Sequence, residues 1–121
     1  MEKPIIYIAG PMTGLKDLNL DSFNFAAAYL ISKGYEVRNP ACLGAGWADY
    51  DHYMEVDLVM LGQCQAITLL PGSDKSPGAT REVFRAEILG HVFATDILSA
   101  IWPALEAMYK NNGGVCDEPA G

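Results

Sequence analysis

Ile5-Ile6-Tyr7-Ile8-Ala9, closed by Gly10-Pro11, is the stretch on which the fold turns. The run is apolar throughout, shows no alternation, and ends at a strong breaker pair. A strand with one wet face alternates. A strand without alternation is covered on both faces, as in a parallel sheet. Parallel strands cannot be joined by hairpins, so crossover helices must follow.

The sequence on either side supplies them. After a loop at 10–19, Asp21 or Ser22 is placed to cap a helix running to Lys33, with Phe23, Ala26, Ala27, Leu30 and Ile31 at helical spacing and Gly34 just beyond its end. Tyr35 to Arg38 reads as a second strand, stopped by Asn39-Pro40. A loop with Gly44, Gly46 and Trp47 leads to a helix at about 51–62, capped by Asp49 or Asp51, with Met54, Leu58 and Leu61 on one face. Gln65 to Leu70 is a third strand, and 71–78 is turn chemistry throughout. A third helix is expected from Ala79 to Leu89, then a fourth strand from His91 to Ala94. Thr95 or Asp96 caps a last helix to Lys110, kinked at Pro103. Four strand–helix units predict an α/β fold: a small doubly wound, flavodoxin- or Rossmann-like parallel sheet in order 2-1-3-4, flanked by helices. Residues 1–110 form one domain in this reading, and 111–121 a loose polar tail.

The 121 residues are 50% hydrophobic, enough for a core without disulfides or metal. Eight Lys and Arg against fifteen Asp and Glu leave a net charge of −7, which argues against nucleic acid, whose binding needs basic residues to replace counterions. Cys42, Cys64 and Cys116 are an odd number without Cys-x-x-Cys spacing, which fits a reducing cytoplasm better than a disulfide or zinc scaffold. No apolar run reaches the roughly 18 residues of a membrane span, and no leader is expected ahead of Pro4.

In a doubly wound sheet, ligands sit beyond the carboxyl ends of the strands where the strand order reverses. Here that crevice lies between the first and third strands, walled by loops 10–19 and 71–80. Ser76, Gly78, Ala79 and Thr80 stand at a helix start, where free N–H groups attract an anion. The same residues also suit an ordinary turn and cap. Glu82 is expected in the first turn of that helix, kept ionised by the helix dipole, as a nucleophile or simply as a complement to the dipole. Asp57, flanked by Val56, Leu58 and Val59, is either a solvated acid or a proton donor. Tyr7 suits a core residue whose hydroxyl reaches a partner. His52 and His91 lack ligand spacing and read as structural, so neither metal nor cofactor is expected. Met12, Met54 and Met60 read as packing.

Tyr7-Ile8-Ala9-Gly10-Pro11 followed by Met12-Thr13-Gly14, together with Gly78-Ala79-Thr80-Arg81-Glu82 and Ala86, resembles the nucleoside 2-deoxyribosyltransferase-like superfamily, in particular its short, often phage-encoded members. The resemblance runs over about residues 4–95. It implies a nucleophile at Glu82, an acid at Asp57, Tyr7 beside the nucleophile, and Gly10, Pro11 and Met12 against the base. In this superfamily, transferases acting on nucleosides carry an Asp six residues before the nucleophile. The related 2′-deoxynucleoside 5′-monophosphate N-hydrolases carry a phosphate-binding serine there, and this chain has Ser76. Gln65 replaces an Asp that many members have, and the C-terminal part is short.

The implied function is cleavage of the base–sugar bond of a nucleoside 5′-monophosphate through a glycosyl ester on Glu82. The alternatives are base exchange by a deoxyribosyltransferase, and a non-catalytic nucleotide-binding protein. A nucleotide or nucleoside is the expected partner, and a second copy of the chain another. Trp47, Phe93, Trp102 and Tyr109 fall in segments expected at the periphery, where a homodimer or larger assembly would cover them.

Overall fold

The computed structural model describes residues 3–43 and 50–115. Four parallel strands, β1 (Ile5–Ala9), β2 (Glu36–Arg38), β3 (Ala66–Leu69) and β4 (Val92–Phe93), form one sheet in the order β2-β1-β3-β4. The helices α1 (Leu20–Ser32), α2 (Tyr50–Gly62) and α3 (Pro77–Leu89) connect successive strands, and α4 (Trp102–Asn111) follows the last.

The unbroken apolar run of β1 is explained by burial on both faces. Ile6 and Ile8 pack with Phe23, Ala26 and Leu30 of α1 and Leu105 of α4. Tyr7 and Ala9 point the other way, into a cluster with Leu61 of α2 and Ala86 of α3. Ile6 to Ala9 are fully buried. β1 and β3 run in register from Ile6↔Ala66 to Ala9↔Leu69 on the same two faces. Gln65 lies just before β3, and its Oε1 accepts from the Ile5 N–H at 2.9 Å, at the end of the sheet away from the crevice.

Three helix starts differ from the sequence reading by two residues or more. α1 is capped by neither Asp21 nor Ser22; both lie inside it, and Asn19 precedes it in the left-handed region. Asp17, Leu18 and Asn19 all have positive φ (48°, 55° and 61°), which costs non-glycine residues about 1–2 kcal/mol each. Such a run survives only where its surroundings over-determine it. Asn19 is fully buried, donating to the Pro11 carbonyl at 3.0 Å and accepting from Ser22 Oγ at 2.8 Å. α3 begins two residues early, at Pro77, because Ser76 is its N-cap: Oγ accepts from the Ala79 N–H at 3.2 Å, and proline suits the first helical position. The last segment is a 3-10 helix at Thr95–Ile101 followed by α4, so Pro103 opens a helix instead of kinking one. Thr95 does not cap it, because its hydroxyl accepts from the Leu69 N–H at 3.1 Å.

The start of the expected tail is anchored. Asn111 closes α4, and Asn112 is buried, donating from Nδ2 to Asn19 Oδ1 at 2.9 Å and to Asp21 Oδ1 at 2.7 Å. Residues 116–121, with Cys116, lie outside the described residues, as do Gly44, Gly46, Trp47 and the cap candidate Asp49. Of the aromatics expected at the periphery, Tyr109 is buried and Trp102 packs against the core, while Phe93 is exposed. Among the described residues no helix is long and apolar enough to cross a membrane.

Candidate functional site

β1 leaves the sheet at Gly10, which passes so close to β3 that a Cβ there would lie 2.9 Å from the Leu70 side chain. The chain then turns through Pro11 and Met12 and forms one lip of a cavity of about 470 Å³. The opposite lip is the segment from Gly72 to Ala79 that leads into α3. Tyr53, Met54 and Asp57 enter from α2, and Glu82 from α3. The cavity lies at the carboxyl ends of β1 and β3, where the strand order reverses.

Gly10, Pro11, Met12, Asp57, Ser76, Gly78, Ala79 and Glu82 therefore line one space, although 72 positions separate the first from the last. Tyr7 lies behind the wall. Fully buried in β1, it donates its hydroxyl to Glu82 Oε2.

Glu82 does not sit where a helix dipole would keep it ionised. With α3 starting at Pro77, it falls in the second turn, and no acidic residue occupies the first. It is only 4% exposed. Burial, reinforced by the charge of Asp57, pushes its pKa from 4.5 up to about 8, and the hydrogen bond from Tyr7 pulls part of the way back. Burial likewise lifts Asp57 from 3.8 to about 6. Asp57 Oδ1 is buried without a hydrogen-bond partner among the described residues. Desolvation, and then the charge of Glu82, hold Tyr7 well above its ordinary value, so Tyr7 is a neutral donor. Two acids forced up in one pocket bind about one proton between them near neutrality, the usual arrangement of acid–base pairs.

At the other lip, the Ser76 hydroxyl caps α3 as an acceptor and still has its proton to donate. Lys75 lines the cavity next to it and donates from Nζ to the Val115 carbonyl at 2.6 Å.

Sequence reasoning missed Tyr109, which reaches the cavity from α4. Its ring fills a slot between two glycines. A Cβ on Gly72 would lie 2.4 Å from the ring, and one on Gly114 2.2 Å. The signal was present in Gly72 and Gly114, but only tertiary packing brings those two glycines to one ring. His91 lies away from the cavity, its Nε2 at 2.9 Å from the Leu61 carbonyl. Among the described residues, no group of three or more His, Cys, Asp or Glu stands close enough to hold a metal ion.

No curated protein matches the chain. The model of one protein family, described as a domain of unknown function (DUF4406), matches residues 4–94, a span that holds the whole sheet together with Tyr7, Asp57, Ser76 and Glu82. The chain belongs to the DUF4406 family.

Proposed function

We propose that this protein is an N-glycosidase of nucleoside or 2′-deoxynucleoside 5′-monophosphates, akin to the nucleoside 2-deoxyribosyltransferase-like enzymes it resembles. The observation that carries the reading is the meeting of Glu82 and Asp57, both buried, in the wall of one cavity whose far lip is the Ser76-capped start of α3. The volume suits a ligand of nucleotide size. Met12, Leu15, Leu18, Phe23 and Met54 offer an apolar wall to a base. The α3 N-terminus and the Ser76 hydroxyl suit a phosphate, which an acid at position 76 would repel.

The C1′–N bond breaks through an oxocarbenium-like transition state. Glu82 attacks C1′ from the face opposite the base. Oε2 is held by Tyr7, so Oε1 forms the ester. The bonding pair leaves with the base, which takes a proton from Asp57. Water then attacks C1′, returns a proton to Asp57, and frees Glu82. Burial raises both carboxyls of the pair, and the chemistry needs their shared proton on Asp57. The Tyr7 hydrogen bond favours the Glu82 carboxylate that this leaves. The burial that raises Glu82, and so opposes its carboxylate, is also what favours a binding protein without turnover.

The test is incubation with a panel of nucleotides and nucleosides, with and without a free acceptor base, followed by chromatography for released base. The N-glycosidase releases base from 5′-monophosphates without an acceptor. Release that requires an acceptor identifies a transferase, and binding without release identifies a binding protein. Ser76→Asp sharpens the result, because aspartate also caps helices. The fold should persist while affinity for monophosphates falls and that for nucleosides does not. Equal affinity of the unsubstituted protein for nucleoside and nucleotide overturns the phosphate seat.

A further inference from the structure

Asn112 lies outside the matched segment 4–94, yet it holds part of the cavity wall. Leu15 and Leu18 line the cavity from the turn whose residues Asp17, Leu18 and Asn19 have positive φ. Asp17 and Asn19 tolerate that conformation better than most residues, but none of the three is glycine and Leu18 has no such tolerance, so a run of three is not sustained by the side chains alone. The turn is held from outside. The Asn112 carbonyl accepts from the Lys16 N–H at 2.9 Å. The Asn112 carboxamide donates to Asn19 Oδ1 at 2.9 Å and to Asp21 Oδ1 at 2.7 Å, so it grips both sides of the left-handed run. Asn19 in turn ties the run to the Pro11 carbonyl, at the first bend after β1. Asn112 and Asn19 are both buried, so the bond between them is shielded from water, whereas Asp21 is exposed.

We infer that Asn112 is a positioning residue of the site: through Asn19 and Asp21 it fixes the turn that presents Leu15 and Leu18 to the ligand. The Leu15 and Leu18 part of the apolar wall is thus set by the C-terminal segment, outside the family's span. The inference rests on the proposed nucleotide reading only for its choice of probe. It predicts that loss of Asn112 acts on ligand recognition and leaves the acid pair untouched, because Glu82, Asp57 and Tyr7 belong to α3, α2 and β1.

Two readouts test it. In the ligand-free protein, hydrogen exchange at the amides of Leu15, Lys16, Leu18 and Leu20, which are all bonded within or to the turn, should speed up by about tenfold or more in Asn112→Ala, while the amides of β1 and β3 keep their rates. With 2′-deoxynucleoside 5′-monophosphates, KM should rise about tenfold while kcat stays within about threefold. If Asn112→Ala does not fold, the isosteric Asn112→Asp serves. It turns an acceptor toward two acceptors near neutral pH and should recover as pH falls and its carboxyl regains a proton to donate. Unchanged exchange in the turn, exchange that rises equally throughout the sheet, or a fall in kcat with KM unchanged overturns the inference. If the unsubstituted protein binds the monophosphates without cleaving them, the glycosidase reading alone fails, and calorimetry of the same ligands then decides whether Asn112→Ala loses affinity. If it binds none, both fail.

Discussion

Glu82 and Asp57 are two acids in one pocket, and they should fail differently. Glu82→Ala removes the covalent route, so turnover should drop by several orders of magnitude, as for loss of a nucleophile. Asp57→Asn keeps the shape but has no proton to give. Its loss should be about 10²–10⁴-fold and should shrink for bases that leave easily without protonation. Single-turnover kinetics on good and poor leaving groups read this directly. Equal slowing of both would make Asp57 an orienting group, and near-normal activity of Glu82→Ala would end the glycosidase reading. The same residues set a pH dependence of stability. Both carboxyls hold protons more tightly folded than unfolded. The resulting stabilisation is complete below their ordinary values and is lost as pH rises, between 3.8 and about 6 for Asp57 and between 4.5 and about 8 for Glu82. Glu82→Gln cannot ionise and still accepts from Tyr7. Its Tm advantage over the unsubstituted protein should therefore grow from about pH 5 to about pH 8. A difference in Tm that stays constant over that range would show that burial of Glu82 does not govern its proton.

At the scale of elements, α4 reaches the site through a single ring. Tyr109 fits because Gly72 has φ +86° and no Cβ. Gly72→Ala meets both objections, a left-handed backbone and a clash with the ring, and should cost about 2–4 kcal/mol. The strain separates from the clash in a double-mutant cycle with Tyr109→Ala, followed by denaturant unfolding. The double variant should lose less than the sum of the singles, because the ring that collides is gone. Strict additivity would mean that the slot does not constrain the ring. The start of α3 carries the other lesson at this scale. A helix boundary two residues earlier than the sequence reading took Glu82 out of the dipole's reach and gave control of its proton to burial.

For the whole molecule, the exposed apolar residues mark where a second copy would sit. Phe84 and Ile88 on α3 and Val92 and Phe93 on β4 are all more than 40% exposed, and β4 has a neighbour on one side only. Exposed apolar residues on a helix and an edge strand are surface that a neighbouring copy would cover. Assembly of at least a dimer through this face is the expected outcome. Light scattering at micromolar protein should give a multiple of 13.1 kDa, and Phe84→Asp should return the monomer. A mass of 13.1 kDa for the unsubstituted chain would rule the assembly out.

The sequence by itself determined the architecture. Periodicity and breakers are local, and an uninterrupted apolar run such as Ile5–Ala9 tolerates only a position buried on both sides, from which the parallel sheet and its crevice between β1 and β3 follow. The residues around the crevice were legible for the same reason, because loops at strand ends must line it. Only the tertiary structure decided how those residues behave. That the Glu82 pKa is raised depends on how deeply other elements bury it, and that Asp17–Asn19 turns left-handed depends on Asn112, some 93 residues further along the chain from Asn19. Desolvation and long-range hydrogen bonds are properties of what surrounds a residue in space, and no window of sequence contains them.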